Sequence, residues 1–348
     1  MNNNRYNMHY TPKHPINKAL FYWLLTCWIM VFCMVLLGGI TRLTDSGLSM
    51  VEWKLQLHFL PPLSLAEWER VFDLYKTSPE AIKINAWMTL ADYKRIYLFE
   101  WFHRFWGQLM GLVFLLPLLY FTLKAPIAVK HKCRLWIIFA LGGLQGFLGW
   151  FMVKSGLVND PHVSHFRLAA HLSMAILLLL FLVYEMFQFV SFEGATHRSR
   201  RYLKYLYGLF ALCCLTILWG AFTAGLDAGL IYNNFPLMND HFLPDELRGK
   251  GQVSEIVLTT TGGVQFMHRM LAYITFGGLL SLSILLIKTD RLKLAYLVLA
   301  LVSLQVIFGI VTLIYQVPIL AAMLHQGNAI LLINALFLLI LQIRAHKA

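Results

Sequence analysis

Glu100, His103 and Arg104 stand together in the segment FEWFHRFWGQLMG (99–111), where a long apolar run begins. Each of the three is costly to remove from water, so their grouping points to chemistry before it points to packing. A second stretch, QFMHR (265–269), repeats the histidine and the arginine as His268 and Arg269. Of thirteen histidines, four fall at matched places: His103, His171, His268 and His325. Imidazole pairs from facing helices hold a porphyrin iron axially in a helical bundle. Two such pairs suggest one bis-histidine haem site in each half of the chain. The competing readings are a packed or hydrogen-bonding histidine, and a copper or zinc site. No Cys, Met or carboxylate cluster recurs with these histidines to complete a copper or zinc shell.

Arg104 and Arg269 follow the first histidine of each pair, and Arg42 and Arg167 lie at other helix ends. Arginine at such positions either snorkels to the head-group region or pairs with a carboxylate. These four are therefore candidate partners for haem propionates. The acid breaks the symmetry. Glu100 precedes His103 by three residues and shares its helix face, whereas the equivalent place before His268 is Gln265. A carboxylate beside an iron-facing ring can move protons or steer water. The first half is thus the candidate for chemistry, and the second for a permanent haem that carries electrons. An interfacial, solvated Glu100 is the alternative.

The elements that must position these residues are membrane helices. The chain has 348 residues, 59% hydrophobic and 13% charged, against about 25% charged in a soluble domain. Charge-free runs cover Ala19–Ile40, Phe105–Leu123, Leu135–Val153, Leu168–Tyr184, Tyr205–Leu226, Met270–Ile287 and Leu294–Ile343. The last is long enough for two spans, with YQVP (315–318) as the turn between them. About 20 apolar residues cross a bilayer as a helix, so these runs predict eight transmembrane helices and an all-α polytopic membrane protein. The runs are too long and too uniformly apolar for barrel strands.

The net charge of +12 follows topology. Segments 1–18, 124–134, 191–204, 288–293 and 344–348 carry 3, 4, 4, 3 and 2 Lys or Arg, while 154–166 and 315–318 carry one and none. That bias places both termini in the cytoplasm and argues against a nucleic-acid partner. Span one is too long for a signal-peptide core, and the leader is poor in Arg and Ser, unlike a transit peptide. A bacterial inner (cytoplasmic) membrane protein is expected, in contact with lipid and with its sites toward the periplasmic side. The cysteines 27, 33, 133, 213 and 214 lie outside the two long outer loops and suggest no disulfide framework.

The chain also repeats itself. GGITRLTDSGL (38–48) matches GAFTAGLDAGL (220–230), EWFHR matches QFMHR, LQGFLG (144–149) matches LQVIFG (304–309), and His171 matches His325. Two parallel four-helix bundles follow. Residues 1–190 form the N-terminal half with a long outer loop, 41–99. A basic linker, 191–204, leads to residues 205–348, the C-terminal half with outer loop 227–264. Within the first loop, LSLAEWERVFDLYKTSP reads as an amphipathic helix with Ser64 as N-cap and Glu67 three residues on. It would lie on the bilayer surface or cover the first bundle.

These residues resemble the haem A synthase family. The likeness runs through GGITRLTDSGLSMVEWK (38–54), FEWFHRFWGQLMG, LGGLQGFLGWFMVKSGL (141–157), His171, FTAGLDAG (222–229), QFMHRMLAY (265–273) and His325. It implies conversion of haem O to haem A for haem-copper terminal oxidases. In that reaction the C8 methyl group becomes a formyl group by successive hydroxylations, and the gem-diol loses water. It implies that His268 and His325 hold a haem b cofactor, that His103 and His171 hold the substrate haem, and that Glu100 is catalytic. It also brings candidate partners: the haem O-producing farnesyltransferase, oxidase assembly factors and a second copy of the chain. Loop 41–99 has no Cys, so the chain resembles the class without a loop cysteine pair. The alternatives are a di-haem b-type cytochrome taking electrons from quinol, and a transporter whose histidines bind protons or metal.

Overall fold

The computed structural model describes residues 15–52, 60–158, 161–190, 195–249 and 251–345, with backbone alone for 15–17. The leader 1–14, Trp53 to Phe59 of the long loop, 191–194 of the basic linker and the last three residues lie outside the described residues. Eight helices are long and apolar enough to cross a membrane. They are α1 (Pro15–Leu43), α4 (Leu90–Leu123), α5 (Val129–Lys154), α6 (His165–Phe187), α8 (Leu203–Gly225), α11 (Thr261–Asp290), α12 (Lys293–Ile314) and α13 (Ile319–Ala345). The short helices α2 (Leu65–Lys76), α3 (Pro79–Lys83), α7 (His197–Arg200), α9 (Asp245–Arg248) and α10 (Val253–Thr259) stand between them. The described residues form no strand, so this is an all-α, multi-pass membrane protein.

The chain divides into two compact units, residues 29–178 and the described remainder. The first holds Glu100, His103 and His171, and the second holds His268 and His325. In the first, α4 is the organising element. Its 34 residues rise about 51 Å, well beyond a hydrocarbon core of about 30 Å. The helix begins at a capping box, Thr89 with Asp92, three turns before the apolar run that the sequence marks. Those extra turns carry Tyr93, Ile96, Tyr97 and Glu100, all buried. The outer loop is therefore shorter than the expected 41–99, running over 44–89, and it covers them. α2 forms where the sequence predicts it, with Ser64 accepting from Glu67 N and the Glu67 side chain returning to the Ser64 backbone. Phe72 and Tyr75 of α2 stack on Tyr93 with ring centroids 5.0 and 4.9 Å apart, and Trp68 meets Tyr97 edge-on at 5.1 Å. Aromatic pairs at such separations stabilise beyond the area they bury.

In the second unit α13 is the core helix. Two-thirds (67%) of its apolar window is buried, against 11% for α12, so α13 is wrapped by its neighbours and α12 shows most of its surface outward. α8 and α12 pack against it, and α11 packs against both of those. The polar residues of α13 are satisfied internally. Asn334 accepts from Trp28 Nε1 at 3.1 Å and Asn328 donates to Leu301 O at 2.9 Å. The turn between α12 and α13 is tight, with Gln316 and Val317 both at positive φ, as YQVP suggests. Asp45 and Asp227, the aspartates matched between TDSGL and LDAGL, both take left-handed backbone, φ 48° and 52°. Each reverses the chain where a membrane helix hands over to its loop.

Candidate functional site

Glu100 is 2% exposed and lies under the loop that leaves α1. One carboxylate oxygen, Oε2, accepts from Ser49 Oγ at 2.7 Å and from the Met50 backbone N–H at 2.8 Å. The other, Oε1, accepts from the Arg104 guanidinium one turn along α4. Arg104 also donates to Met50 O at 3.1 Å. Tyr93 OH reaches Ser49 O at 3.2 Å and Val71 O at 3.1 Å, which fixes the loop against α4 and α2 together. A second buried acid stands nearby. Glu80, 5% exposed, accepts from Tyr75 OH at 2.9 Å, and Tyr75 OH accepts from Asn85 Nδ2 at 2.8 Å. Burial pushes Glu80 up to about 7, and the negative charges of Glu100 and Asp45 add to this, while the bond from Tyr75 opposes it.

The matched node of the second unit uses the same spacing with inverted polarity. Gln265, 2% exposed, donates from Nε2 to Ala228 O and Ile231 O, both at 2.6 Å, and accepts from Arg269 at 3.0 Å. Arg269 donates further to Tyr232, Asn234 and Leu237 carbonyls at 2.6, 3.1 and 3.1 Å. The loop after α1 thus offers an N–H and a hydroxyl, and the loop after α8 offers two carbonyls. A carboxylate suits the first and a primary amide the second. The exchange of Glu for Gln is therefore written into the backbone of each loop.

Each of the four histidines packs on a glycine of the preceding long helix. A Cβ at Gly38 would lie 3.3 Å from His103 Nε2, at Gly149 3.0 Å from His171 Cε1, at Gly220 3.0 Å from His268 Cε1, and at Gly309 2.9 Å from His325 Cε1. A side chain at Gly309 would force the imidazole to shift, and one at the other three would press closely on it. The His268 and His325 ring centroids are 6.4 Å apart, with planes at 86°. Two metal–imidazole bonds of about 2 Å each, plus the distance from nitrogen to ring centre, sum to roughly 6 Å, so the pair is spaced to take one iron between them. His268 Nδ1 lies 3.0 Å from Thr216 O, a bond that makes Nδ1 the donor and leaves Nε2 free as a ligand. His325 is met by Gln305 Nε2, 3.1 Å from Nδ1. In the first unit Gln145 Nε2 lies 3.4 Å from His171 Nε2. Among the described residues no group of three or more His, Cys, Asp or Glu is placed to hold a bare metal ion. The spacing of His268 and His325, with the Nδ1 bond of His268, fits a macrocycle-bound iron that these two residues would hold.

The profile of the COX15-CtaA family, described as cytochrome oxidase assembly protein, matches residues 21–337. The chain belongs to this family. It is 43% identical over 326 residues to the haem A synthase of Rickettsia bellii, covering 92% of this chain and 96% of that one. It is 40% identical over 328 residues to the haem A synthase of Flavobacterium psychrophilum, covering 91% and 96%. It is 39% identical over 331 residues to that of Nitrosospira multiformis, covering 93% of each. In this COX15-CtaA chain the remaining arginines are engaged as well. Arg167 donates to Phe151 O at 2.8 Å and lies 3.8 Å from the Phe151 ring centre. Arg42 closes the last turn of α1.

Sequence reasoning passed over Ser49, Met50 and Glu80. Ser49 and Met50 sit just past the matched TDSGL segment, and Met50 acts through its backbone, which no side-chain pattern reveals. Glu80 stands in a loop of mixed charge with no periodic signature. Gln145 and Gln305 were visible as part of the LQ repeat, and their place beside His171 and His325 gives that repeat its physical meaning.

Proposed function

We propose that this chain is a haem A synthase of the bacterial inner membrane, oxidising the C8 methyl group of haem O to a formyl group. The observation that carries the reading is the asymmetry of the two nodes: a buried carboxylate ringed by donors before His103, and an amide in its place before His268. Residues 1–190 and 205–348 act as two parallel halves with both termini cytoplasmic and the sites toward the periplasm. His103 and His171 hold the substrate haem, and His268 and His325 hold haem b as a permanent cofactor. Bound haem b supplies one-electron redox chemistry that draws electrons from the reaction.

The chain's own groups do the rest. The histidine pairs orient each macrocycle, and the glycines opposite them leave room for the rings. Glu100 takes up and passes on protons released as the methyl carbon is hydroxylated, and Arg104 keeps its carboxylate aimed. The arginines at positions 42, 104, 167 and 269 offer positive charge for the propionates. Partners of the assembled pathway would be the farnesyltransferase that makes haem O, oxidase assembly factors and further copies of this chain.

The test is pigment extraction from protein purified out of cells that make haem O. The expected result is haem b together with haem O or haem A in the native chain, and haem b without formyl product in Glu100→Ala. Recovery of haem b alone, from the native chain and the variant alike, would replace this reading with a di-haem cytochrome.

A further inference from the structure

The two halves differ at three matched positions around their histidines. Thr216, four residues before Gly220, stands where Met34 precedes Gly38. Thr275, seven after His268, stands where Met110 follows His103, and Asn328, three after His325, stands where Met174 follows His171. Offsets of three, four and seven keep each residue on the face of its histidine or glycine.

In the second unit these residues build a lattice. The Thr216 and Thr275 hydroxyls bond at 2.8 Å across α8 and α11, beside the carbonyl of Thr216 that holds His268 Nδ1. Asn328 Nδ2 donates to Gln305 Oε1 at 2.6 Å and to Leu301 O at 2.9 Å. Gln305, so clamped, presents Nε2 to the His325 ring and to His325 O at 3.1 Å. Thr275 and Asn328 are 5% and 6% exposed, so the bonds are shielded from water.

Among the described residues of the first unit the lattice is reduced to the 3.4 Å contact of Gln145 Nε2 with His171 Nε2. Gln145 Oε1 and His171 Nδ1 are buried without a hydrogen-bond partner. Among the described residues neither ring nitrogen of His103 makes a hydrogen bond. The Met34 methyl instead lies 3.4 Å from a Cβ placed at Gly107, one turn past His103 on α4. Methionine has three rotatable bonds and a polarisable sulfur, and it repacks around changing shapes. A hydrogen-bonded amide clamp does the opposite, because turning the ring would strand buried polar groups.

We propose that these three pairs set the residence time of haem in each half. Thr216, Thr275 and Asn328 are positioning residues that lock His268 and His325 and so retain a permanent haem. Met34, Met110 and Met174 leave His103 and His171 free to turn, so that one porphyrin can enter and its oxidised form can leave. This rests on the reading that each half holds a haem.

The test uses the full chain in detergent, purified from cells that make haem O. Apomyoglobin is added as the haem acceptor, its Soret band is followed, and the pigments left behind are extracted at intervals. Loss of one buried hydrogen bond predicts that Asn328→Met speeds the loss of haem b on the order of tenfold and leaves haem O and haem A loss unchanged. Met174→Asn, which supplies Gln145 with the missing donor, slows haem O and haem A loss by a similar factor. It lowers kcat through slower product release without raising KM. Unchanged loss rates in both variants overturn the proposal. If Asn328→Met sheds both pigments together it has unfolded, and Met174→Asn then decides alone: slower loss of haem O and haem A supports the proposal, and an unchanged rate overturns it. A native chain that carries haem b only overturns the reading that the first half holds a substrate haem, before any variant is compared.

Discussion

Replacing Glu100 with glutamine isolates one atom. Glu100 offers two acceptor oxygens, one to Ser49 and Met50 and one to Arg104. Glutamine offers one acceptor and one donor. If its oxygen faces Ser49 and Met50, its NH2 confronts the Arg104 guanidinium; if it flips, the NH2 confronts the Met50 N–H. Ser49 can turn its hydroxyl to accept, but a backbone N–H cannot. One donor is therefore stranded either way, in a site where Glu100 is 2% exposed. An orphaned buried donor costs about 1–3 kcal/mol. Loss of the charge opposite Arg104 adds to this, but Arg104 keeps its bond to Met50 O and its side chain is 17% exposed, which limits the addition. Glu100→Gln should thus destabilise the protein by roughly 3 kcal/mol. The reciprocal change is equally unfavourable, since Gln265→Glu would set a carboxylate against the carbonyls of Ala228 and Ile231. Thermal unfolding in detergent measures both, with haem b content reporting that the second half is intact and extracted pigment reporting formyl formation. The expectation is a lower midpoint for each variant, retained haem b in Glu100→Gln, and no haem A from it. A Glu100→Gln protein with native melting and native haem A yield would refute both the polarity argument and the catalytic role.

Three further outcomes follow from other parts of the structure. Glu80 has its folded pKa raised from 4.5 to about 7, so as pH rises through that window the unfolded chain ionises first and stability falls. The loss approaches roughly 3 kcal/mol above pH 7. Glu80→Gln should flatten this slope, and melting at pH 5 and pH 8 measures it; an unchanged slope would mean that Glu80 ionises freely. Gly309→Ala brings a Cβ to 2.9 Å from the clamped His325 ring, whereas Gly38→Ala brings one to 3.3 Å from His103. The Soret band of haem b should collapse in the first and survive in the second, and equal retention in both would disprove the role given to Gly309. Tyr93→Phe removes the hydroxyl that ties Ser49 O and Val71 O, at a cost of about 1 kcal/mol, with formyl formation slowed through the loosened grip on Glu100. Native activity and melting in that variant would count against the tie.

The eight spans were legible because charge-free runs of that length have few other folds in lipid. α2 was legible to the residue at its start, since Ser64 and Glu67 form a capping box that depends on local spacing alone. The start of α4 was not. Its first turns, Leu90 to Phe99, carry Asp92, Lys94 and Arg95, and hydropathy reads such turns as loop. They are helical because the Thr89–Asp92 capping box starts them and because Tyr93 and Tyr97 are buried beneath α2, a contact that hydropathy does not register. The site divided in the same way. His103, His171, His268, His325 and the Glu100–Gln265 difference could be read from a repeat compared with itself. What each residue bonds to depends on the direction of loop carbonyls and N–H groups, and sequence does not encode that at single positions.

The continuity of α4 has a consequence for how its loop can vary. Glu100, His103 and Arg104 ride on one unbroken rod, so their mutual spacing is set by helical rise and is indifferent to the length or composition of the chain between Glu52 and Leu65. Among the described residues, two short stretches outside the rod reach the acid's surroundings: Ser49–Met50, and the face of α2 that meets Tyr93. Insertions, deletions or added cysteines elsewhere in the loop would leave the spacing of acid and histidine unaltered.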